Sequence, residues 1–276
     1  HTLYVSRGVT CSVNHEPLGV VAGVTPFNFP LMVPMWMMPQ ALVAGNTFIL
    51  KPSEQVPVSV ARLAQLLDEA GLPKGVFNIV NGTRPPVEAL VDHPEIKAMA
   101  FVGSTPVAKA LYARGAKLGR PMLCLGSAKN HLIMVPDADP DMTANDVVRS
   151  FFGMSGQRCM AATVLVCVGN VEHILEKILQ ETKKIKLGTD MGPLINEAAL
   201  TRIDTIVENT LNAGATMVLD GRGAQVEGVN QGYWTGPTIL DNVTPQMSAY
   251  TDEVFGPVMS IVRVKTLDEA LEIENN

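Results

Sequence analysis

Short apolar runs alternate with stretches of helical spacing along most of the chain. Residues 18–24 (LGVVAGV), 47–51 (TFILK), 76–80 (VFNIV) and 98–104 (AMAFVGS) read as strands, the last ending in a Gly-Ser turn. Between and behind them, residues 31–44, 59–71 and 107–115 carry helical periodicity, and PVEALVDHP holds a short helix. A second block repeats the beat, with strands at 131–135, 163–168, 216–220 and 258–264 and helices at 142–152, 171–184, 198–213 and 266–276. Strands separated by helices of this length predict parallel sheets with crossover connections, an α/β fold. A weak break near residues 125–130 is the nearest thing to a domain boundary, and no internal repeat or low-complexity segment is visible.

Composition narrows the class. With 276 residues, 47% hydrophobic and 17% charged, the chain can bury one large core or two modest ones. A net charge of −6 without a Lys/Arg run gives no footprint for nucleic acid or an anionic membrane. Residues 17–50 contain no charged side chain until the strand end approaches, but Pro26, Pro30, Pro34 and Pro39 argue against a spanning helix and for a buried strand, loop and helix. Cys11, Cys124, Cys159 and Cys167 form no CxxC pair and no metal-ligand cluster with the five histidines, so a reducing compartment without a bound metal is expected. His1 is not a natural start and the last helix ends without a following element; both suggest truncation at the two ends.

Four local patterns could carry chemistry. In Phe152-Gly153-Met154-Ser155-Gly156-Gln157-Arg158-Cys159, two glycines allow close backbone approach before a thiol, and a probable helix start beside Arg158 would favour thiolate. The alternative is a small buried hydrophobe. In Thr25-Pro26-Phe27-Asn28-Phe29-Pro30, Asn28 is one amide in an apolar loop, able to donate to an oxyanion or merely to tie the loop to its backbone. A strand ends at Lys51 with Glu54 close behind, where a ribose diol could be gripped or a solvated ion pair formed. Gly103-Ser104-Thr105 places small residues and free N–H groups at a helix start, suited to a pyrophosphate, although it is not a GxGxxG fingerprint.

In order and spacing these patterns resemble the aldehyde dehydrogenase superfamily over almost the whole chain. The family's Pro-Trp-Asn-Phe-Pro loop stands here as Pro26 to Pro30, its Lys-Pro-Ser-Glu as Lys51 to Glu54 and its Gly-Ser-Thr turn as Gly103 to Thr105. Its Gly-Gln-x-Cys is Gly156 to Cys159, its Gly-Pro-Leu is Gly192 to Leu194, and its Glu-x-Phe-Gly-Pro is Glu253 to Pro257. The resemblance implies a Rossmann-type NAD-binding domain at 18–126 after an N-terminal remnant at 1–17, and a catalytic domain at 127–276 that is incomplete at its C-terminus. It implies that Cys159 attacks an aldehyde and that Asn28 and the Cys159 N–H hold the oxyanion. Lys51 and Glu54 would hold the cofactor's adenosine ribose, Ser104 its pyrophosphate, and Glu253 with Phe255 its nicotinamide ribose and ring, while Thr25, Pro26, Phe27 and Gly103 are further cofactor-binding candidates. A free Glu54 carboxylate repels a 2′-phosphate, which favours NAD over NADP.

The departures narrow the reading. Hydrolytic relatives carry a Glu-Leu-Gly-Gly-Lys whose Glu activates water; the aligned stretch here is Cys124-Leu125-Gly126-Ser127-Ala128-Lys129, without that base. A thioester on Cys159 would then await a nucleophile that ionises more readily than water, and coenzyme A fits. Lys129-Asn130-His131 and Arg158-Cys159-Met160-Ala161 are shared with methylmalonate-semialdehyde dehydrogenases, enzymes of valine catabolism that release acetyl- or propionyl-CoA and carbon dioxide. Arg158 is the candidate anchor for the substrate carboxylate, its alternative being a structural salt bridge. The resemblance further implies a homodimer or homotetramer, working in the mitochondrial matrix or, in bacteria, the cytoplasm. Two other readings are weighed: a hydrolytic NAD-dependent aldehyde dehydrogenase with a base placed elsewhere, and a non-catalytic NAD-binding scaffold of the same fold. Ala108 for the last Gly of the Gly-Ser-Thr-x-x-Gly turn, Phe27 for Trp, and a short junction at residues 186–189 are the remaining departures.

Overall fold

A computed structural model describes residues 2–275, which divide into two compact units, one reaching Ser127 and the other beginning at Ala128. The first unit opens with an antiparallel hairpin, β1 (Thr2–Ser6) and β2 (Val9–Ser12), whose residues are all exposed and which the apolar pattern did not announce. Its sheet comprises β3 (Val20–Val24), β4 (Thr47–Lys51), β5 (Phe77–Ile79), β6 (Ile96–Val102) and β7 (Met122–Leu125). The strands lie in the order β5-β4-β3-β6-β7 and every pair is parallel. The crossovers are α1 (Met32–Val43), α2 (Pro57–Glu69), α3 (Arg84–Asp92) and α4 (Thr105–Lys117).

Each face of this sheet buries its own cluster. Val21, Phe48, Leu50, Val60 and Met38 close one side; Ala22, Val24, Met99, Phe101, Leu111 and Val91 close the other. Two-sided burial is why these strands read as continuous apolar runs instead of alternating ones. A polar residue stitches the entry: Asn46 accepts from the N–H groups of Leu18 (2.7 Å) and Gly19 (3.1 Å) and donates to Ala41 O (3.1 Å), fixing the end of α1 beside the start of β3.

The second unit holds β8 (Asn130–Met134), α5 (Pro140–Phe152), β9 (Ala162–Val168), α6 (Glu172–Thr182), α7 (Glu197–Asn212), β10 (Thr216–Leu219), β11 (Thr238–Asp241), the single turn α8 (Ser248–Thr251), β12 (Val258–Val264) and α9 (Leu267–Asn275). Its sheet runs β10-β11-β12-β9-β8. β9 lies inside the sheet, between β12 and β8, and is buried at all seven positions, each large aliphatic there contributing about 1.5–3 kcal/mol. The expected all-parallel sheet is corrected at one edge, where β10 pairs antiparallel with β11. Two helices of this unit carry side-chain N-caps: Asp139 accepts from Asp141 and Met142 N–H at the start of α5, and Asn196 from Ala199 N–H at the start of α7.

Candidate functional site

In the first unit the strand order places β3 beside both β4 and β6, so successive crossovers leave in opposite directions on either side of it. At such a reversal the C-terminal strand ends splay open a crevice, the usual ligand position in open α/β sheets. A cavity of about 630 Å³ sits there, lined among others by Thr25, Pro26 and Phe27 after β3, Lys51 and Glu54 after β4, and Gly103 and Ser104 after β6. Seven residues singled out from the sequence thus share one cavity. Asn28 is buried next to it in the chain but is not among its lining residues.

The electrostatics of the cavity are set by Lys51 and Glu54. Lys51 is buried and its Nζ donates to Glu54 Oε2 at 2.9 Å. Partial desolvation works to raise the Glu54 carboxyl, but a backbone hydrogen bond and Lys51 outweigh it and hold the group below its ordinary value, so it is ionised at neutral pH. Thr25 Oγ1 is buried without a hydrogen-bond partner, a polar atom on the cavity wall that a bound ligand could satisfy. A dinucleotide's hydroxyl-rich adenosine half fits this donor set.

The helix start after β6 differs from expectation. Gly103 N–H donates to Leu125 O (3.1 Å), Thr105 N–H donates to Ser127 Oγ (3.1 Å), and Pro106 has no N–H to offer. The expected row of free N–H groups is therefore reduced, leaving Ser104 and Val107 facing the cavity. Ser127, a departure from the family's glycine, accounts for this: its N–H also donates to Thr105 Oγ1 (2.9 Å), so the two residues lock the end of β7 to the start of α4. A Cβ on Gly103 would fall 2.5 Å from the Phe101 ring, so a larger residue there requires that ring to move.

In the second unit α5 ends at Phe152 and the chain turns through a 3₁₀ segment, Gly153–Gly156. Met154, Ser155 and Gly156 all have positive φ, 55°, 55° and 65°, a left-handed run that only the glycine adopts without cost. Cys159 follows in a turn before β9, half-buried; the expected helix start is not there. Arg158 is likewise turned back, its Nη2 donating to Arg149 O (2.7 Å) and Ser150 O (2.8 Å) at the end of α5, where Arg149 O also accepts from Gly153 N–H. Its Nε is buried without a partner.

The six-residue loop before Cys159 is sutured to segments distant in sequence. Ser155 Oγ donates to Gly192 O (2.5 Å), and Gln157 Oε1 accepts from Ile195 N–H (3.0 Å), which brings the Gly192-Pro193-Leu194 pattern against it. Gly156 packs against the Gly256-Pro257 backbone so closely that a Cβ would overlap the Gly256 carbonyl. Glu253, in the same pattern, accepts from Ala128 N–H (3.3 Å), and Lys129 Nζ donates to Ala249 O (2.6 Å) and Asp252 O (2.8 Å). Arg202 Nη1 donates to Glu253 O and Val254 O. Phe255 holds a positive φ of 49°, like Met154 and Ser155 a non-glycine residue in the left-handed region. Sequence gives Lys129, Arg202, Gln157 and Ser155 no role of their own: Ser155 and Gln157 enter only as members of the stretch before Cys159, Lys129 only as a subfamily mark, and Arg202 not at all.

Cys124 stands in the middle of β7, paired with Phe101 of β6, and burial pushes its thiol up. It does not replace a carboxylate base. Cys167, inside β9, is pushed up to about 12 by burial and is chemically inert. Among the described residues no group of three or more His, Cys, Asp or Glu could hold a metal ion, and no helix is long and apolar enough to cross a membrane.

Comparison with known proteins agrees with this arrangement. The model of the aldehyde dehydrogenase family matches residues 1–276. A malonate-semialdehyde dehydrogenase of Pseudomonas aeruginosa is 46% identical over 269 residues, covering 95% of this chain and 54% of the relative. A crystal structure from Sinorhizobium meliloti, described as a methylmalonate-semialdehyde dehydrogenase complexed with NAD, is 43% identical with a TM-score of 0.91, covering 94% of this chain and 54% of that one. The methylmalonate-semialdehyde dehydrogenase of Oceanimonas doudoroffii is 45% identical with a TM-score of 0.90, at 93% and 54% coverage. The chain spans about half the length of the relatives it matches.

Proposed function

The chain belongs to the aldehyde dehydrogenase family, and from that premise we propose that the whole protein oxidises malonate or methylmalonate semialdehyde with NAD and passes the acyl group to coenzyme A. The overall change balances as aldehyde, NAD⁺ and coenzyme A giving acetyl- or propionyl-CoA, NADH and carbon dioxide. The observation that carries the acyl-transfer half is Cys124: the position aligned with a water-activating carboxylate is a half-buried thiol inside a strand. The 43–46% identity to proteins named for these semialdehydes supports the substrate class.

Cys159 forms the carbon–sulfur bond to the aldehyde, and the Cys159 N–H receives the developing oxyanion; Asn28 keeps the role of side-chain donor that the resemblance implies. NAD, when bound, supplies the hydride acceptor. Thr25, Lys51 and Glu54 would hold its adenosine ribose, Ser104 its pyrophosphate, and Glu253 with Phe255 its nicotinamide side. Collapse of the oxyanion, with the aldehyde hydrogen leaving as hydride, gives a malonyl or methylmalonyl thioester on Cys159; its carboxylate leaves as carbon dioxide, the thioester enolate so formed takes up a proton at carbon, and the coenzyme A thiolate attacks the resulting acetyl or propionyl thioester to release the Cys159 thiolate. Arg158 as carboxylate anchor requires its guanidinium to leave the carbonyls of Arg149 and Ser150, and its unpartnered buried Nε is the feature favouring such a swing. The homo-oligomeric state follows the resemblance. The bacterial relatives favour the cytoplasm and lend no support to a mitochondrial matrix.

The test is NADH formation by the full-length protein with malonate semialdehyde, with and without coenzyme A. Sustained turnover only with coenzyme A is expected, and Cys159→Ala abolishes it while NAD still binds. Equal steady turnover without coenzyme A would establish hydrolysis instead; NAD binding without a reactive thiol would establish the non-catalytic scaffold.

A further inference from the structure

Asn130 opens β8 at the point where its pairing with β9 slips register, between Asn130 and His131. The Asn130 side-chain amide makes bonds there that the backbone ladder does not supply. The side-chain Nδ2 donates both protons, one to Cys159 O at 2.7 Å and one to Ala161 O at 2.9 Å, while the backbone carbonyl of Asn130 accepts from Thr163 Oγ1 at 3.3 Å. Across the same turn, Ala161 N–H donates to Arg158 O at 3.1 Å.

Peptide planarity makes these bonds matter to the thiol. Arg158 C=O and Cys159 N–H belong to one rigid plane, and Cys159 C=O and Met160 N–H belong to the next. The first plane is fixed by Ala161 and the second by Asn130, so both planes flanking the Cys159 Cα are tied. In a trans unit the N–H points opposite to the C=O, so turning Arg158 O toward Ala161 turns Cys159 N–H the other way, where it has no hydrogen-bond partner among the described residues. The direction of the Cys159 side chain is set by the same two planes.

We propose that Asn130 is a positioning residue, whose amide bridge from Cys159 O to Ala161 O aims the Cys159 N–H as an oxyanion donor. The inference rests on the reading of Cys159 as nucleophile. A neutral side chain with two protons on one nitrogen is what two adjacent carbonyls require; alanine supplies none, and the isosteric carboxylate of aspartate would repel both oxygens.

The experiment uses the full-length protein and compares two rates at Cys159: the first-turnover burst of NADH with malonate semialdehyde, and alkylation by iodoacetamide, which needs the thiol but no oxyanion donor. In Asn130→Ala the burst falls about 10²-fold, the loss typical of one misdirected oxyanion donor, while alkylation stays close to wild type. Asn130→Ser restores one donor and recovers part of the burst; it also serves where the alanine variant does not fold. An unchanged burst, or a burst and an alkylation rate that fall in parallel, would overturn the positioning role. Retention of the burst in Cys159→Ala would instead remove the nucleophile reading, a failure distinct from that of Asn130.

Discussion

Gly156 and Gly256, one hundred residues apart in sequence, meet backbone to backbone: the Cα hydrogen of Gly156 faces the carbonyl of Gly256 in a space that no Cβ can enter. This contact joins the loop that carries Cys159 to the loop that carries Glu253. The two glycines are not equivalent, because a Cβ on Gly256 would meet only the flexible end of Ile203. Gly156→Ala, strained at φ 65° and blocked by backbone, is expected to cost at least about 2 kcal/mol and to lower the melting temperature clearly. Gly256→Ala costs less and is partly rescued by Ile203→Val. Equal melting temperatures for the two alanine variants would refute the distinction.

Met154 sits in the left-handed region although half of its side chain meets solvent, so little packing compensates the strain. Met154→Asn, which tolerates this conformation, is expected to stabilise the protein by about 0.5–1 kcal/mol. Ser155→Ala loses the bond to Gly192 O and destabilises by about 1 kcal/mol. Chemical denaturation of both variants checks the opposite signs.

Glu54 is ionised in the cavity at the end of β4. Glu54→Gln removes the charge that would repel a 2′-phosphate, and the preference for NAD over NADP is expected to fall roughly tenfold. Steady-state kcat/KM with each cofactor measures it; an unchanged ratio would show that Glu54 does not set cofactor choice.

Burial pushes the Lys129 ammonium down to about 8, against the opposing pull of Asp252 and Glu253. Between pH 8 and the ordinary lysine value of 10.5 the unfolded chain holds a proton that the folded one has released, so this residue adds stability as pH rises through that window. Thermal melts of the wild type and Lys129→Met at pH 7 to 10.5 are expected to diverge in the wild type's favour. A difference that is flat with pH would reject the buried-ammonium account.

Periodicity by itself determined most of the strand and helix succession, because two-sided burial leaves apolar runs that few other structures need; the strands at 47–51 and 258–264 match to the residue. It missed β7 and β11, which are only four residues long, and the hairpin of β1 and β2, whose residues are exposed on both faces and so carry no burial pattern. Motif spacing likewise determined which residues to examine, and seven of them line one cavity.

What only the tertiary structure decided is how those residues are held. Register between parallel strands is set by packing across the sheet, so the irregular pairing at Asn130 and the reach of its amide to Cys159 O could not be read along the chain. Nor could the direction of Arg158, which depends on the carbonyls that the end of α5 brings within its reach, or the loss of free N–H groups at α4, where Ser127 arrives from the end of β7. A side chain's type is local, but its partner is chosen by whichever unsatisfied group the fold brings within reach.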